Sequence, residues 1–194
     1  MNELPDNETR HKIIEVAEAL FSTRGYAAVK LRDIAEAVQM KHASLYYYVP
    51  GGKEQLFIEV FEHSFQRHQL GISQAIQQAG DSFIDQLYAV ADWFATQPAI
   101  DLNKIQQGDR PNLTPENLQR LAQLAYDSLR MPIVAAIEQA HSRQQIEVEH
   151  FDLAAMALIS MVQSTSNIPG ITLKGRKQLG HMLINMLMEG WLPR

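Results

Sequence analysis

The chain has 194 residues, 46% of them hydrophobic, a formal net charge of −5 and no cysteine. That is enough apolar material for one sizeable soluble domain or two small ones, and it excludes disulfides, thiolate metal sites and thiol nucleophiles. No apolar run reaches spanning length and the first residues, MNELPDNETRHK, are polar, so neither a membrane helix nor a signal peptide is expected and the cytoplasm is the expected compartment.

In chain order, a first helix is predicted from about Asp6 or Asn7, either a suitable N-cap, to Gly25. Ile13, Ala17, Leu20 and Phe21 form its apolar face. A short helix then covers Leu31 to Val38, and a second covers about Lys41 to Tyr48, with only Gln39 and Met40 between them. This is the spacing of a helix-turn-helix unit, whose three-helix core would join the first helix to Ile34, Leu45 and Val49. After Pro50-Gly51-Gly52, a long helix runs from Lys53 to about Gln78 with Phe57, Val60, Phe61, Ser64, Phe65, His68 and Ile72 on one face. At 1.5 Å per residue it spans roughly 40 Å.

Gly80 breaks that helix, Asp81 is a candidate cap, and Phe83, Ile84, Leu87, Val90, Ala91 and Phe94 mark another helix to about Thr96. Pro98 to Thr114 reads as a short helix and a loop. Thr114-Pro115-Glu116 then starts a helix that Pro132 should kink or divide before it ends near Arg143. Two more helices follow, around Asp152 to Asn167 and Lys174 to Gly190. With no strand pattern and no repeat, the fold class is all-α.

The segment from Arg24 to Lys53 carries five cations against Asp33 and Glu36, a net +3 that leaves the rest of the chain at −8. A local basic patch on an acidic protein suits docking on phosphates by one face only. If Leu45 points into the core, a step of about 100° per residue turns Ala43 and Tyr47 outward and puts Ser44 and Tyr46 on the flanks. Ala43 permits close approach and contact with a thymine methyl, while His42, Ser44 and Tyr47 offer hydrogen-bonding tips. Lys53 lies in the first turn of the long helix, where the backbone favours an anion, and Lys30, Lys41 and Tyr46 are further candidate phosphate contacts.

RHKIIEVAEALFSTRGY followed by LRDIAEAVQMKHASLYYYVPGGKEQL resembles the amino-terminal domain of TetR-type (tetracycline-repressor-like) transcription regulators from Arg10 to about Leu56. The resemblance rests on Ile13-Ile14, Ala17, Leu20-Phe21 and Gly25, then Asp33-Ile34-Ala35, Leu45-Tyr46, Tyr48 and Lys53-Glu54. It departs from the family at Val29 and Lys30, where a capping Thr or Ser is usual, at Gln39 for a turn glycine, at Lys41 for a serine, and at an added Gly52. The resemblance implies a helix-turn-helix DNA-binding domain over residues 1–54 and a helical ligand-binding and dimerisation domain over residues 55–194. It also implicates Arg32 in reaching a base from the helix before the reading helix. Base readout would then rest on Arg32, His42, Ala43 and Tyr47.

The implied partners are double-stranded operator DNA, a second copy of the chain and a small-molecule effector. Phe151, Ala154, Ala155, Leu158, Ile159 and Val162 repeat at i, i+3, i+4, i+7, i+8 and i+11, as do Leu179, Met182, Leu183, Met186, Leu187 and Gly190. The family's arrangement would make these two stripes a dimeric four-helix bundle, although burial within one subunit accounts for them too. His68, Tyr88, Trp93, Phe94, Tyr126, Met131 and Met156 fall in the region that the family uses as a pocket, and they are also what a helical core contains. Two rival readings are an enzyme and a ligand carrier with a vestigial helix-turn-helix. For an enzyme there is no phosphate loop or nucleophile motif, and His63 and His68, five apart, do not share a helical face. No cofactor and no metal are expected.

Overall fold

The computed structural model describes residues 7–98 and 113–190, which form two compact units. The expected cap Asp6 and the expected short helix and loop after Pro98 lie, wholly or for the most part, outside those residues. Among the described residues the ordered structure is entirely helical.

The first unit contains residues 7–64 and 113–124. Here α1 spans Asn7–Arg24, α2 Leu31–Ala37 and α3 His42–Tyr48, followed by the first half of α4, Gly52–Gln78. Ile13, Ala17, Phe21, Ile34, Leu45 and Val49 are all buried, as the apolar spacing requires, while Leu20 is only half-buried. The rings of Phe21, Tyr26 and Phe57 extend this core, with Phe57 meeting each of the other two edge-on at 5.0 Å. Six of the seven residues expected on the inner face of α4 from Phe57 to Ile72 are at most 1% exposed, and Phe61 is 4% exposed.

Thr114 caps α6, Pro115–Ala125, by accepting the N–H of Asn117 on its hydroxyl at 3.4 Å. The helix then widens into a π-helical turn over Tyr126–Arg130 before α7, Met131–Ser142. Pro132, in the first turn of α7, has no N–H for the carbonyl of Ser128, so the ladder is interrupted where the proline demands it. The expected division is therefore observed.

The second unit contains residues 65–98 and 125–190. It holds the second half of α4, then α5 (Phe83–Thr96), α7, α8 (Phe151–Ser164, continued by a 3₁₀ turn) and α9 (Leu173–Glu189). Ser82, not Asp81, stands at the N-cap of α5; Asp81 pairs instead with Arg143 at 2.9 Å. Helices α5 and α9 approach closely, since a Cβ added at Gly180 would lie 3.2 Å from that of Ala91.

The turn between α2 and α3 is strained at one residue. Gln39 has φ 59°, in the left-handed region that an L side chain occupies at a cost of about 1–2 kcal/mol. The glycine missing from this turn would have met that conformation freely, at the expense of greater freedom in the unfolded chain. Gln39→Gly should raise the unfolding free energy by about 0.5–1 kcal/mol in a urea titration.

Candidate nucleic-acid interface

Helix α3 is seven residues long, and of these Leu45 alone is buried. His42, Ala43 and Ser44 are exposed, Tyr46 is 50% exposed and Tyr47 61%. Two phenol rings half or more in water cannot be core, so the outward set derived from the 100° step is the observed one. The rings are arranged among themselves, His42 meeting Tyr46 edge-on at 5.1 Å and Tyr47 meeting Tyr48 at 5.4 Å. Tyr48 is half-buried.

Lys41 occupies the N-cap of α3, its carbonyl accepting the N–H groups of Ser44 and Leu45 at 2.9 and 3.2 Å. Lys30 occupies the N-cap of α2, where the carboxylate of Asp33 accepts its backbone N–H at 2.9 Å. An ammonium has no lone pair to return the bond, so only this half of a capping box forms. Both lysine side chains are exposed, and Val29 beside Lys30 is buried. Arg32 is exposed as well, 3.7 Å from Glu36 one turn on. Such a surface pair contributes little and exchanges readily with another anion. Lys30, Arg32, Lys41, His42, Ala43, Ser44, Tyr46 and Tyr47 thus all reach solvent on α2, α3 and their caps.

Lys53 is different. Its ammonium donates to the carbonyls of Tyr26 at 2.8 Å and Val29 at 3.0 Å, and lies 4.0 Å over the Tyr26 ring. The expected phosphate contact is therefore, in this structure, an internal brace that holds the chain entering α2. Gly52, with φ 72°, makes the tight turn that starts α4 and sets Lys53 under that loop.

Next to it, Glu54 accepts the Thr114 N–H at 3.0 Å and the Asn117 side-chain amide at 2.7 Å. These bonds, the backbone one foremost, hold its carboxyl below the ordinary value of 4.5. A further internal cation, Arg10 on α1, joins the carbonyl of Tyr48 to Glu59. Nothing in the residue spacing marks Arg10 as part of the reading head.

In the second unit the structure brings together three of the seven candidate ligand residues. His68 is buried, accepts the Trp93 indole N–H on Nδ1 at 3.2 Å, and stacks on Phe94 at 5.4 Å. Trp93 lies flat against the α4 backbone, which is why residue 71 is glycine: an added Cβ would come within 2.1 Å of the indole. Tyr88 stacks instead on His181 at 4.3 Å and donates to Asn185. Tyr126 is half-buried under Arg130, while Met131 and Met156 are 41% and 42% exposed.

The expected intersubunit stripe of α8 is spent inside the chain. Ala154, Ala155, Leu158, Ile159 and Val162 are buried, and Phe151 is half-buried against His141. The five buried residues therefore pack mainly within the chain itself. On α9, Leu179, Leu183 and Leu187 are half-buried, whereas Met182 and Met186 are 60% and 67% exposed.

A seven-residue helix presented on a packed three-helix unit defines a helix-turn-helix protein. Residues 13–60 match the family model of bacterial regulatory proteins of the tetR family, about a quarter of the chain. The chain is 44% identical over 52 residues to the HTH-type transcriptional regulator LmrA of Bacillus subtilis, covering 27% of this chain and 28% of that one. The chain is thus matched to less than a third of that relative's length. Over 159 residues it is 24% identical to the HTH-type transcriptional repressor NicS of Pseudomonas putida, covering 78% of this chain and 74% of that one. Among solved structures, AibR in complex with isovaleryl coenzyme A and operator DNA shares the fold with a TM-score of 0.73 at 19% identity, covering 92% of this chain and 97% of that one.

Two consequences can be measured. Lys53→Ala removes two charge-assisted bonds, and should lower the unfolding free energy by about 1.5–3 kcal/mol. Since the Glu54 pKa is depressed in the folded chain, its contribution is complete at neutral pH and is lost as pH falls from about 4.5 through the folded value. Glu54→Gln, which does not titrate, should be less stable than wild type at pH 7, and the gap in unfolding free energy should close on acidification.

Proposed function

We propose that the chain is a ligand-responsive transcriptional repressor that binds near-palindromic operator DNA as a homodimer and is released by a small, largely apolar or aromatic effector. The observation that carries this is α3, whose side chains other than Leu45 and Tyr48 are exposed and offer a small residue, a hydroxyl, an imidazole and two phenols to a groove. Arg32, Lys30 and Lys41 flank it with positive charge. A single helix-turn-helix binds modestly, so two copies on adjacent half-sites are the economical arrangement.

The surface for the second copy is shifted from the residues expected at first. Leu153 and Met156 on α8, 54% and 42% exposed, and Met182 and Met186 on α9, 60% and 67% exposed, are large apolar side chains left in water on two helices that pack together. Exposed apolar side chains of this size suit an interface. The effector reading is supported by His68, Trp93 and Phe94, a polarisable cluster with one imidazole, and by AibR, a protein of the same fold that binds isovaleryl coenzyme A, whose acyl end is apolar. For an effector to weaken DNA binding about 100-fold, it needs roughly 2.7 kcal/mol of preference for the conformer that does not bind DNA.

In vitro selection from random duplexes tests this reading. It should return a two-fold symmetric consensus, and Tyr47→Ala should relax preference at particular bases by about 1–3 kcal/mol each without changing the salt slope. Failure to enrich any sequence would favour a helical small-molecule carrier with a vestigial helix-turn-helix instead.

A further inference from the structure

We propose that Arg10 determines how sharply the chain discriminates between DNA sequences without itself touching DNA, by clamping the end of the reading helix. This rests on the DNA-binding reading above. A helix of seven residues does not hold itself together in water, and α3 is anchored by one buried side chain. Its orientation must therefore come from ties at its ends. The last carbonyls of a helix have no partner within it. At Tyr48 that carbonyl accepts an N–H from one terminal nitrogen of the Arg10 guanidinium, and the other terminal nitrogen meets the carboxylate of Glu59.

Three helices meet at this point: α1 supplies Arg10, α3 ends on it, and α4 supplies Glu59. The planar guanidinium fixes both bonds in one geometry, which a lysine ammonium does not reproduce. Side-chain exposures of 32% and 27% mean that the pair is shielded, though not dry. The lever is short but sufficient. At 1.5 Å per residue α3 is about 10 Å long, so a tilt of roughly 10° moves its far end by about 2 Å, more than the span of usable hydrogen-bond distances. His42 and Ala43, at the end of α3 away from the clamped carbonyl, would lose their register on the base edges.

Arg10 also lies outside the segment whose net charge marks it as basic, and its charge is matched by Glu59. It is a positioning residue, and one experiment separates that role from a phosphate contact and from general stability. Arg10→Lys, Arg10→Ala and Glu59→Gln in the full chain would be titrated against the selected duplex and a random duplex of the same length. Fluorescence anisotropy between about 50 and 200 mM salt would report the binding, with a thermal melt of each variant.

The expected result is a loss of about 10-fold or more on the selected duplex for Arg10→Lys and more for Arg10→Ala, with Glu59→Gln between wild type and these. Affinity for the random duplex and the salt slope should stay at the wild-type values, with Arg10→Lys still folded. Equal losses on both duplexes, discrimination kept at the wild-type ratio, or a salt slope reduced by about one would each overturn the proposal. A wild-type chain that binds both duplexes alike would overturn the functional reading as well.

Discussion

Leu45 is the single buried side chain of α3, whose other side chains turn outward, and the amino-terminal unit is arranged around that economy. A reading helix must keep its face free, so it cannot be held by packing on several sides. The stability it lacks comes from neighbours: Ile34 and Val49 close over Leu45's side of the core, and α1 supplies Ile13, Ala17 and Phe21. Two internal cations then fix the chain at both edges of the motif. Lys53 ties the strand of backbone entering α2 through the carbonyls of Tyr26 and Val29, and Arg10 holds the carbonyl that ends α3.

The apolar periodicity of the sequence carried most of the fold. All seven residues on the expected inner face of α4 are buried, because a stripe at 3.6-residue spacing can only be covered along one side. The same rule was uninformative about what does the covering. Ala155, Leu158, Ile159 and Val162 have the spacing of an interface and are buried by their own chain, while Leu153 and Met156 on the same helix face outward. Period identifies a face; it does not distinguish a partner helix in the same subunit from one in a second copy.

Charge was legible in sum and not in direction. Arg32, Lys30 and Lys41 reach solvent where a net positive segment suggests they should, yet Lys53, the most favourably placed by position, turns inward to two carbonyls. A long flexible side chain chooses between water, phosphate and a nearby backbone acceptor by local geometry that spacing does not encode. Arg10 escaped for the same reason. In the second unit, aromatic and histidine content identified the His68, Trp93 and Phe94 cluster but scattered Tyr88, Tyr126, Met131 and Met156 to other surroundings. Gly71 is the residue that explains why the indole sits where it does.

On the proposed reading, the outward face of α3 enters the major groove, twice, on a symmetric site. Chemical protection of guanine N7, which lies in the major groove, measures this directly on a bound duplex. Two protected patches related by two-fold symmetry are expected, with centres about one helical turn of DNA apart or a multiple of it. Uniform protection, a single patch, or protection confined to minor-groove positions would contradict that reading.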